Sequence, residues 1–449
     1  MARVTVVGAG TTGLFAGLVL ARDGHQVVVV DKDARPAPVD AITVGSWQRP
    51  GTPQAMLPHG FMARGRALLR VRAPDVLRSL LDAGAIEFAL APFIPGGTPN
   101  AEDDELVVIF CRRPLFESAL WRAVEHQHGV ELRAQTTVTG LAGSTIQTDL
   151  GTLDADLVID AAGRRSPLGT WTNAEANVDE CGMVYYSRYF RLRPGAALPQ
   201  GPWLWGPRAE LPFALVMVHL ADRSVHSITF GIPTFDAELK ILREERAFAA
   251  ACAALPAFAP WADPARVEPI GDVLAMGGLQ NVLRSFLQST RSIAPRVISI
   301  GDALCHTNAA YGWGVALGFD HASALATVMQ ETEDPNAISL AYHARVWPEA
   351  KARWELSVQQ DRARVRQWRG ETPDSGDARA TALRAVAPAM MLDASVFRAM
   401  MRCSLLLDPA DALLDPELLT RARAAIDRRG PIPAVPAPPT REQFLAVLR

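Results

Sequence analysis

The chain has 449 residues, which exceeds one compact core and predicts two or three packed domains. Its hydrophobic fraction of 49%, charged fraction of 21% and net charge of −3 are ordinary for a water-soluble protein, and they exclude a nucleic-acid footprint and a polybasic membrane patch. No apolar run is long enough to span a bilayer, no secretory signal is recognisable, and the five scattered cysteines indicate neither a disulfide framework nor a zinc site. We expect a cytoplasmic protein without a bound metal.

The first 33 residues carry the strongest pattern. A buried strand over residues 3–7 leads into a glycine-rich turn, an apolar helix over 14–21, and a second strand over 26–30 that ends on Asp31. The turn reads Gly8-Ala9-Gly10-Thr11-Thr12-Gly13. This order is the βαβ opening of dinucleotide-binding folds. The alternative is a glycine-rich turn that binds no ligand. That alternative would not explain why a strand, a glycine turn, a helix, a second strand and an acidic residue occur in this order.

Each residue of this opening has a physical role in the prediction. Gly8 would permit the tight turn, Gly10 the approach of a pyrophosphate, and Gly13 the close packing of helix on strand. The helix N-terminus offers unpaired N–H groups to phosphates, and Asp31 would accept hydrogen bonds from a ribose. We expect Thr11, Thr12 and Lys32 to belong to the same cofactor site.

The next elements alternate between helices and strands, which predicts an α/β fold. After a Pro- and Gly-rich loop that includes Arg49 and His59, the pattern indicates helices over 64–69, 73–83 and 112–125, strands over 105–110, 130–133 and 136–141, a hairpin over 143–153, and a buried strand over 156–160.

The middle of the chain changes character. Strands over 184–192, 213–220 and 224–232 predict an antiparallel sheet, which a helix over 237–254 would close. A buried strand over 296–300 and a long helix over 314–330 return to the earlier pattern, and the remaining residues are helical apart from a Pro-rich stretch.

A second motif follows that returning strand. It reads Gly301-Asp302-Ala303, ten further residues including Gly312 and Trp313, and then Gly314. The segment resembles the second fingerprint of FAD-dependent monooxygenases of the p-hydroxybenzoate hydroxylase and styrene monooxygenase type, which are related to polyether epoxidases and flavin halogenases. The resemblance implies that the cofactor is FAD, that Asp302 binds its ribityl chain, and that Gly312 and Gly314 let the backbone lie against its ring. We expect Trp313, between these glycines, to belong to the same cofactor site.

The residues alone support the same interpretation. A strand end would present the Asp302 carboxylate to hydroxyl groups, and the helix after Gly314 would stabilise the negative charge of a reduced flavin. The alternative is that Gly301 and Asp302 form only a turn.

Three weaker matches extend the resemblance. The run from Asp160 to Pro167 is similar to the D-A-x-G-R-x-S element of the styrene monooxygenase, halogenase and epoxidase relatives. It departs from the form that serves both FAD and NADPH, which disfavours direct reduction by NAD(P)H. A separate flavin reductase would then supply reduced FAD, with direct use of NAD(P)H as the alternative. Arg113 matches an arginine near the FAD pyrophosphate, with an exposed helix-start arginine as the alternative. Arg49 lies in a loop expected to fold over the flavin edge.

One departure concerns the reactive edge of the flavin. The family's proline falls at Ala309, and its common histidine position is Cys305, with His306 one place later. His306 would be a proton relay or, as we favour, a loop cap, while a covalent tether through Cys305 or His306 is the least favoured reading. The candidates for catalytic residues are His59, His306, Tyr311 and Trp313.

The antiparallel sheet offers two further signals. Trp203 and Trp205 are similar to the W-x-W motif of flavin halogenases, but those enzymes also need an early lysine, and no lysine occurs between Lys32 and Lys240. We therefore favour packing for both tryptophans. Apolar sheet residues such as Phe213, Met217 and Phe230 would line a substrate pocket or form ordinary core.

The resemblance implies an FAD-dependent monooxygenase that inserts one oxygen atom from O₂ into a small apolar or aromatic substrate. Hydroxylation or epoxidation would proceed through a flavin C4a-hydroperoxide, with water excluded by the protein. A flavin-dependent reductase, a halogenase and a non-catalytic flavoprotein remain alternatives on the same scaffold.

The predicted domains are an FAD-binding domain in two parts (1–175 and 276–330), an antiparallel-sheet substrate domain (176–275) and a helical C-terminal region (331–449). The expected partners are an organic small molecule, O₂ and a flavin reductase. The C-terminal helices would either pack on the FAD domain or form a homodimer contact.

Overall fold

The computed structural model of the protein describes residues 1–35, 49–97, 100–201, 204–288, 291–371, 378–429 and 438–449. The strands in these ranges are β1 (Arg3–Val7), β2 (Gln26–Val30), β3 (Gly60–Phe61), β4 (Ile86–Ala89), β5 (Val107–Phe110), β6 (Val130–Arg133), β7 (Val138–Ala142), β8 (Thr145–Thr148), β9 (Gly151–Asp154), β10 (Leu157–Asp160), β11 (Glu175–Glu180), β12 (Met183–Leu192), β13 (Arg208–Leu211), β14 (Ala214–Leu220), β15 (Val225–Pro233), β16 (Val267–Met276), β17 (Gln280–Ser285), β18 (Leu287–Gln288), β19 (Arg291–Ser292), β20 (Val297–Ser299) and β21 (Cys305–His306).

The α-helices of the same ranges are α1 (Thr11–Arg22), α2 (Ala63–Arg72), α3 (Pro74–Asp82), α4 (Arg113–Glu125), α5 (Leu168–Trp171), α6 (Glu245–Ala253), α7 (Gly314–Glu331), α8 (Pro335–Trp368), α9 (Ala378–Val386), α10 (Ala394–Ser404), α11 (Pro416–Arg429) and α12 (Arg441–Leu448). Short 3-10 turns lie between several of them. The predicted α/β class, with an antiparallel sheet and a helical C-terminal region, is confirmed.

A five-stranded parallel sheet forms the first core, in the order β20-β10-β1-β2-β6. Its strands are rich in valine, as expected for strands that are covered on both faces. Helices α1 and α7 pack against each other beside this sheet, where the rings of Phe15 and Phe319 stack with their centroids 4.0 Å apart. This packing brings the start of the chain next to the segment after residue 300.

A second sheet is antiparallel, in the order β13-β14-β15-β12-β16. One of its faces is covered by α6 and α12, where Phe230 contacts Phe248 and Phe444 at ring distances of 5.2 and 6.3 Å. Phe213 packs on Phe444 at 5.2 Å, so Phe213 and Phe230 belong to the core. Of the two alternatives for these side chains, the contacts support ordinary core. Met217 lies in a different apolar cluster, on the opposite face.

The structure differs from the predicted elements at several points, which include the unpredicted strands β4, β11, β13 and β17, and two of the differences have a clear physical cause. The expected helix over 237–254 is a 3-10 turn at Leu239–Arg243 followed by α6, because Glu244 has an extended backbone with ψ of 131°. The ten-residue strand β16 was not predicted, because most of its side chains are exposed or half-buried and show little apolar alternation. It pairs with β12 across a register shift.

In the parts of the chain with described coordinates, no helix combines the length and apolar character needed to cross a membrane. All five cysteines are unpaired and buried.

Candidate cofactor site and active site

The first glycine turn has the geometry expected for close backbone packing. Gly8 has a φ of +106°, and a Cβ at this position would lie 2.5 Å from the carbonyl oxygen of Ala161. A Cβ on Gly13 would overlap with the carbonyl oxygen of Gly8. Both positions therefore require glycine for steric reasons.

Gly10 behaves differently from the other two glycines. Its backbone is extended, with φ of −75° and ψ of −179°, and the nearest atom to a Cβ built there is Nη2 of Arg113 at 4.0 Å. The first turn of α1, from Thr11, contains no acidic residue, and Gly10 has no side-chain cap hydrogen bond. The turn thus presents open space and unpaired helix N–H groups, which suit an anion such as a pyrophosphate.

The second glycine turn lies directly against the first. Gly301 has a φ of +57°, and a Cβ there would meet the side chain of Thr12 at 3.0 Å. A Cβ on Gly318, one turn into α7, would overlap with the Thr12 hydroxyl group. The Gly301 N–H donates to Nδ1 of His321 over 3.1 Å, so a side chain of α7 also fixes this turn. The structure therefore brings the two predicted motifs together.

The start of α7 completes this arrangement. Gly312 has a φ of +71° and packs on the Met62 side chain. Gly314 begins the helix, and the Asp302 carboxylate lies beside it, 3.2 Å from a Cβ built at Gly314. Trp313, at the cap position, makes no side-chain cap bond, and the first helical turn holds no acid. A second helix N-terminus thus stands open beside Asp302.

A cluster of buried ion pairs around Arg49 lies next to the first glycine turn. The Asp31 carboxylate accepts the Ala9 N–H over 2.5 Å and the Asp33 N–H over 2.8 Å, and it pairs with Arg49. Each carboxylate oxygen has two acceptor positions, so the described contacts leave capacity for a ribose hydroxyl. Arg49 is buried and also contacts Asp33, while Lys32 is exposed with its chain next to Gly51.

Glu117 joins this cluster to Arg113, and the sequence prediction missed it. Glu117 is fully buried on α4 and pairs with both Arg49 and Arg113, the latter over 2.7 Å. Burial opposes ionisation of Glu117, but the two guanidinium groups outweigh burial and lower the pKa of this carboxyl below its ordinary value. Arg113 is 8% exposed, so the alternative of an exposed helix-start arginine is wrong.

His59 lies against Arg113. Its Nδ1 is 2.8 Å from the Leu57 carbonyl oxygen and its Nε2 is 3.1 Å from Nη1 of Arg113. These contacts fit one tautomer, in which Nδ1–H donates to the carbonyl and Nε2 accepts from the guanidinium. Burial and the Arg113 charge lower the pKa of His59 to about 3, so the ring is neutral at physiological pH.

The remaining catalytic candidates lie between β21 and α7. Nδ1 of His306 lies 2.9 Å from the carbonyl oxygen of Thr307, and burial lowers the pKa of His306. Cys305 is fully buried and its thiol donates to Ala350 O on α8, which disfavours a tether at this cysteine. The rings of Tyr311 and Trp313 stack at 4.9 Å.

Trp313 also anchors the C-terminal region, because its Nε1–H donates to the Ser404 carbonyl over 3.0 Å. Of the halogenase-like pair, Trp203 lies outside the described residues. Trp205 is half-buried, with its ring 6.0 Å from that of Phe110. This contact fits the packing role that we favoured.

One face of the antiparallel sheet packs against the loop between β21 and α7. Tyr185, Leu215 and Met217 form an apolar cluster on which Ala310 packs. His219 follows Met217 by two residues and so shares its face, and burial together with Arg208 lowers its pKa to about 4. The open Gly10 turn, the two uncapped helix starts, Asp31, Asp302 and Arg113 together fit the phosphate, ribose, ribityl and ring parts of FAD.

Comparisons with known proteins support FAD as the cofactor. Residues 1–40 match a family model described as FAD binding domain. A D-amino acid dehydrogenase of Cereibacter sphaeroides is 34% identical over 98 residues, which are 20% of this chain and 21% of that protein. The chain thus spans about a fifth of the length of the curated relatives it matches.

Solved structures extend the likeness to the whole fold. The Diels-Alderase PyrE3 of pyrroindomycin biosynthesis has a TM-score of 0.62 at 15% identity, covering 92% of this chain and 81% of its own. The flavin-dependent brominase Bmp2, as a triple mutant, has a TM-score of 0.62 at 15% identity, covering 96% and 100%.

PqsL, a probable FAD-dependent monooxygenase from Pseudomonas aeruginosa, has a TM-score of 0.58 at 15% identity, covering 82% of this chain and 98% of its own. The chain therefore begins with a segment that matches the FAD binding domain, and its fold is similar to those of PyrE3, Bmp2 and PqsL.

Proposed function

We propose that the protein is an FAD-dependent monooxygenase that transfers one oxygen atom from O₂ to a small apolar or aromatic organic substrate. The observation that carries the proposal is the contact of Thr12 with Gly301 and Gly318, which joins two distant glycine turns into one site. Ala310, on the loop between the second turn and α7, packs on the apolar face of the antiparallel sheet. A cofactor ring and an organic substrate would meet at this boundary.

The chain's own residues account for holding the cofactor. The open turn at Gly10, with Thr11 and Arg113, would hold the pyrophosphate, and Asp31 would hold the ribose. Asp302 would bind the ribityl hydroxyls, and the N-terminus of α7 would stabilise negative charge on the ring. FAD, when bound there, supplies the electrons that activate O₂.

The substrate side would act by orientation and by exclusion of water. Leu215, Met217 and Tyr185 form the buried apolar cluster on which Ala310 packs, and the substrate would bind beside this cluster. Burial lowers the pKa of His219 to about 4, so we expect a neutral imidazole on this face of the sheet at pH 7. A dry, mostly neutral cleft favours oxygen transfer over release of hydrogen peroxide.

The proposal also includes the source of electrons and the cellular compartment. NAD(P)H would reduce the cofactor directly or through a separate flavin reductase. The five unpaired cysteines support a reducing compartment such as the cytoplasm. The likeness to a brominase is one of fold, and the stretch from Lys32 to Lys240 holds no intervening lysine for halogen transfer.

The test is a stopped-flow experiment on the purified holoprotein. The protein is reduced anaerobically, mixed with O₂, and followed across the visible spectrum. A transient absorbing species between the reduced and oxidised forms supports the proposal. Direct return to the oxidised spectrum would indicate an oxidase or a reductase, and no turnover with any reductant would indicate a non-catalytic flavoprotein.

A further inference from the structure

The loop over residues 307–313, which we call the 307–313 loop, departs from the related family by having Ala309 in place of the proline. A proline would restrict the backbone at this point through its fixed φ. The structure shows a different means of restricting it. Asn308 caps the short 3-10 turn at Ala309–Tyr311 with its side-chain oxygen, which accepts the Ala310 N–H over 3.0 Å.

Asn308 is itself fixed by hydrogen bonds of its backbone N–H and of both polar atoms of its side chain. Its N–H donates to Oδ1 of Asn281 over 2.9 Å and to the Ser357 hydroxyl over 3.1 Å. Its Oδ1 also accepts the Tyr185 hydroxyl over 2.7 Å, and its Nδ2 donates to Oδ1 of Asp361 over 2.7 Å. The capping residue therefore contacts β12, β17 and α8 together.

The centre of this network is a carboxylate on α8. Asp361 is fully buried, and besides Asn308 it accepts the Tyr311 hydroxyl over 2.9 Å and Nδ2 of Asn281 over 2.8 Å. Arg364, 8% exposed, donates to the same carboxylate over 2.9 Å and to the Tyr311 hydroxyl over 3.2 Å. Buried charges of this kind hold their partners tightly because an unpaired donor would be costly.

We propose that Asp361, on helix α8 of the C-terminal region, is the positioning residue that restricts the 307–313 loop at the flavin in place of the proline. The proposal rests on the proposed function, since it takes the loop to border the cofactor ring. It also gives the C-terminal region a role at the active site, because α8 supplies Asp361, Ser357 and Arg364 to one side of the loop.

The test compares Asp361→Asn with Asp236→Asn in the full-length holoprotein. Asp236 is a matched control: it is 8% exposed, pairs with Arg441 over 2.7 Å and lies after β15, in the connection to α6. Two readouts that do not depend on turnover are measured. One is hydrogen exchange of peptides covering residues 306–313, and the other is the midpoint potential of bound FAD.

We expect exchange in the 306–313 peptides to accelerate about tenfold or more in Asp361→Asn, from the loss of charge-assisted hydrogen bonds. The flavin potential should shift with it. Asp236→Asn should leave both readouts unchanged while lowering the thermal midpoint. If Asp361→Asn behaves like the control, with a lower midpoint and an unaltered loop and potential, the proposal is overturned.

A second variant keeps the proposal testable where Asp361→Asn does not fold. Tyr311→Phe removes one hydroxyl and leaves the pairing of Asp361 with Arg364 and Asn281. We expect the same changes at smaller size, and unchanged exchange in this variant would overturn the proposal. Wild-type protein that binds FAD but shows no transient with O₂ would contradict the proposed function and leave the loop measurement valid.

Discussion

The side chain of Thr12 fills the space that a Cβ on Gly318 would occupy, so the first turn of α1 and the second turn of α7 are in direct contact. This contact sets the separation of the two glycine turns. The whole account of the cofactor site depends on it, because FAD has to reach from one turn to the other.

The first prediction tests this contact. Gly318→Ala should destabilise the protein by about 1–3 kcal/mol through overpacking against Thr12 and should weaken FAD binding. Gly65→Ala, on α2, is the control, since its Cβ would meet Ala316 at an ordinary 3.7 Å. The control should be neutral or up to about 1 kcal/mol more stable, as expected for alanine in a helix. Urea unfolding measures both, and equal midpoints would refute the contact argument.

The second prediction concerns the carboxylate that joins Arg49 and Arg113. Glu117→Gln removes the negative charge that pairs with the two buried guanidinium groups. We expect the free energy of unfolding to fall by about 3–5 kcal/mol. Glu125→Gln, on the same helix, breaks only a pair with an exposed partner, Arg35, and should cost less than about 1 kcal/mol. Losses of equal size in the two variants would show that the buried cluster is not a source of stability.

Glu117 also predicts a pH dependence. Its folded-state pKa is below the ordinary value of 4.5, so its stabilisation is present above pH 4.5 and is lost as the pH falls through the lower folded value. Urea midpoints measured between pH 3 and pH 7 should therefore fall less steeply on the acid side in Glu117→Gln than in the wild type. A parallel pair of curves would contradict the assignment.

The fourth prediction follows from the neutral imidazole behind Gly301. Burial lowers the pKa of His321 to about 4, below its ordinary 6.5, so the unfolded chain takes up the proton first on acidification. Stability should decline below pH 6.5, with His321 contributing about 1.4 kcal/mol per pH unit until pH 4. His321→Asn keeps an acceptor for the Gly301 N–H and does not titrate, so it should remove that part of the slope.

The control for this variant is His128→Asn, which removes an exposed imidazole elsewhere on the surface. Denaturant titrations at half-unit pH steps give the slopes. If His321→Asn keeps the full wild-type slope, His321 is not the group that links folding to pH here.

Local pattern was enough to predict the elements around the first motif. The bounds of β1 and β2 agree with the sequence, because a valine run and a glycine turn need only their neighbours to be recognised. The strand β16 was missed because its order comes from pairing with β12 rather than from its own side chains. Tertiary contacts override propensity at such positions.

The site residues also divide into those that a local pattern predicts and those that only the fold brings together. Gly8, Gly13 and Gly301 could be recognised because steric requirements fix the residue type in a short motif. Glu117 and Asp361 each carried only a weak local signal, the i,i+4 spacing of Glu117 from Arg113 and the i,i+3 spacing of Arg364 from Asp361. Asp361 meets Asn308 from 53 residues further along the chain, and only the fold shows that their side chains touch.

The most direct test of the central claim is FAD binding by the wild-type protein and by Gly10→Ala. An alanine fits the backbone at residue 10, where φ is −75°, and its Cβ would have only Arg113 within 4.0 Å. The unfolding free energy of the FAD-free protein should therefore change by less than about 0.5 kcal/mol. Equilibrium titration should show one FAD per wild-type chain and a Kd at least about tenfold higher in the variant, because the methyl group takes the space of the pyrophosphate. A wild-type protein that stays colourless with added FAD, or a variant that binds FAD as tightly as the wild type, would contradict the account.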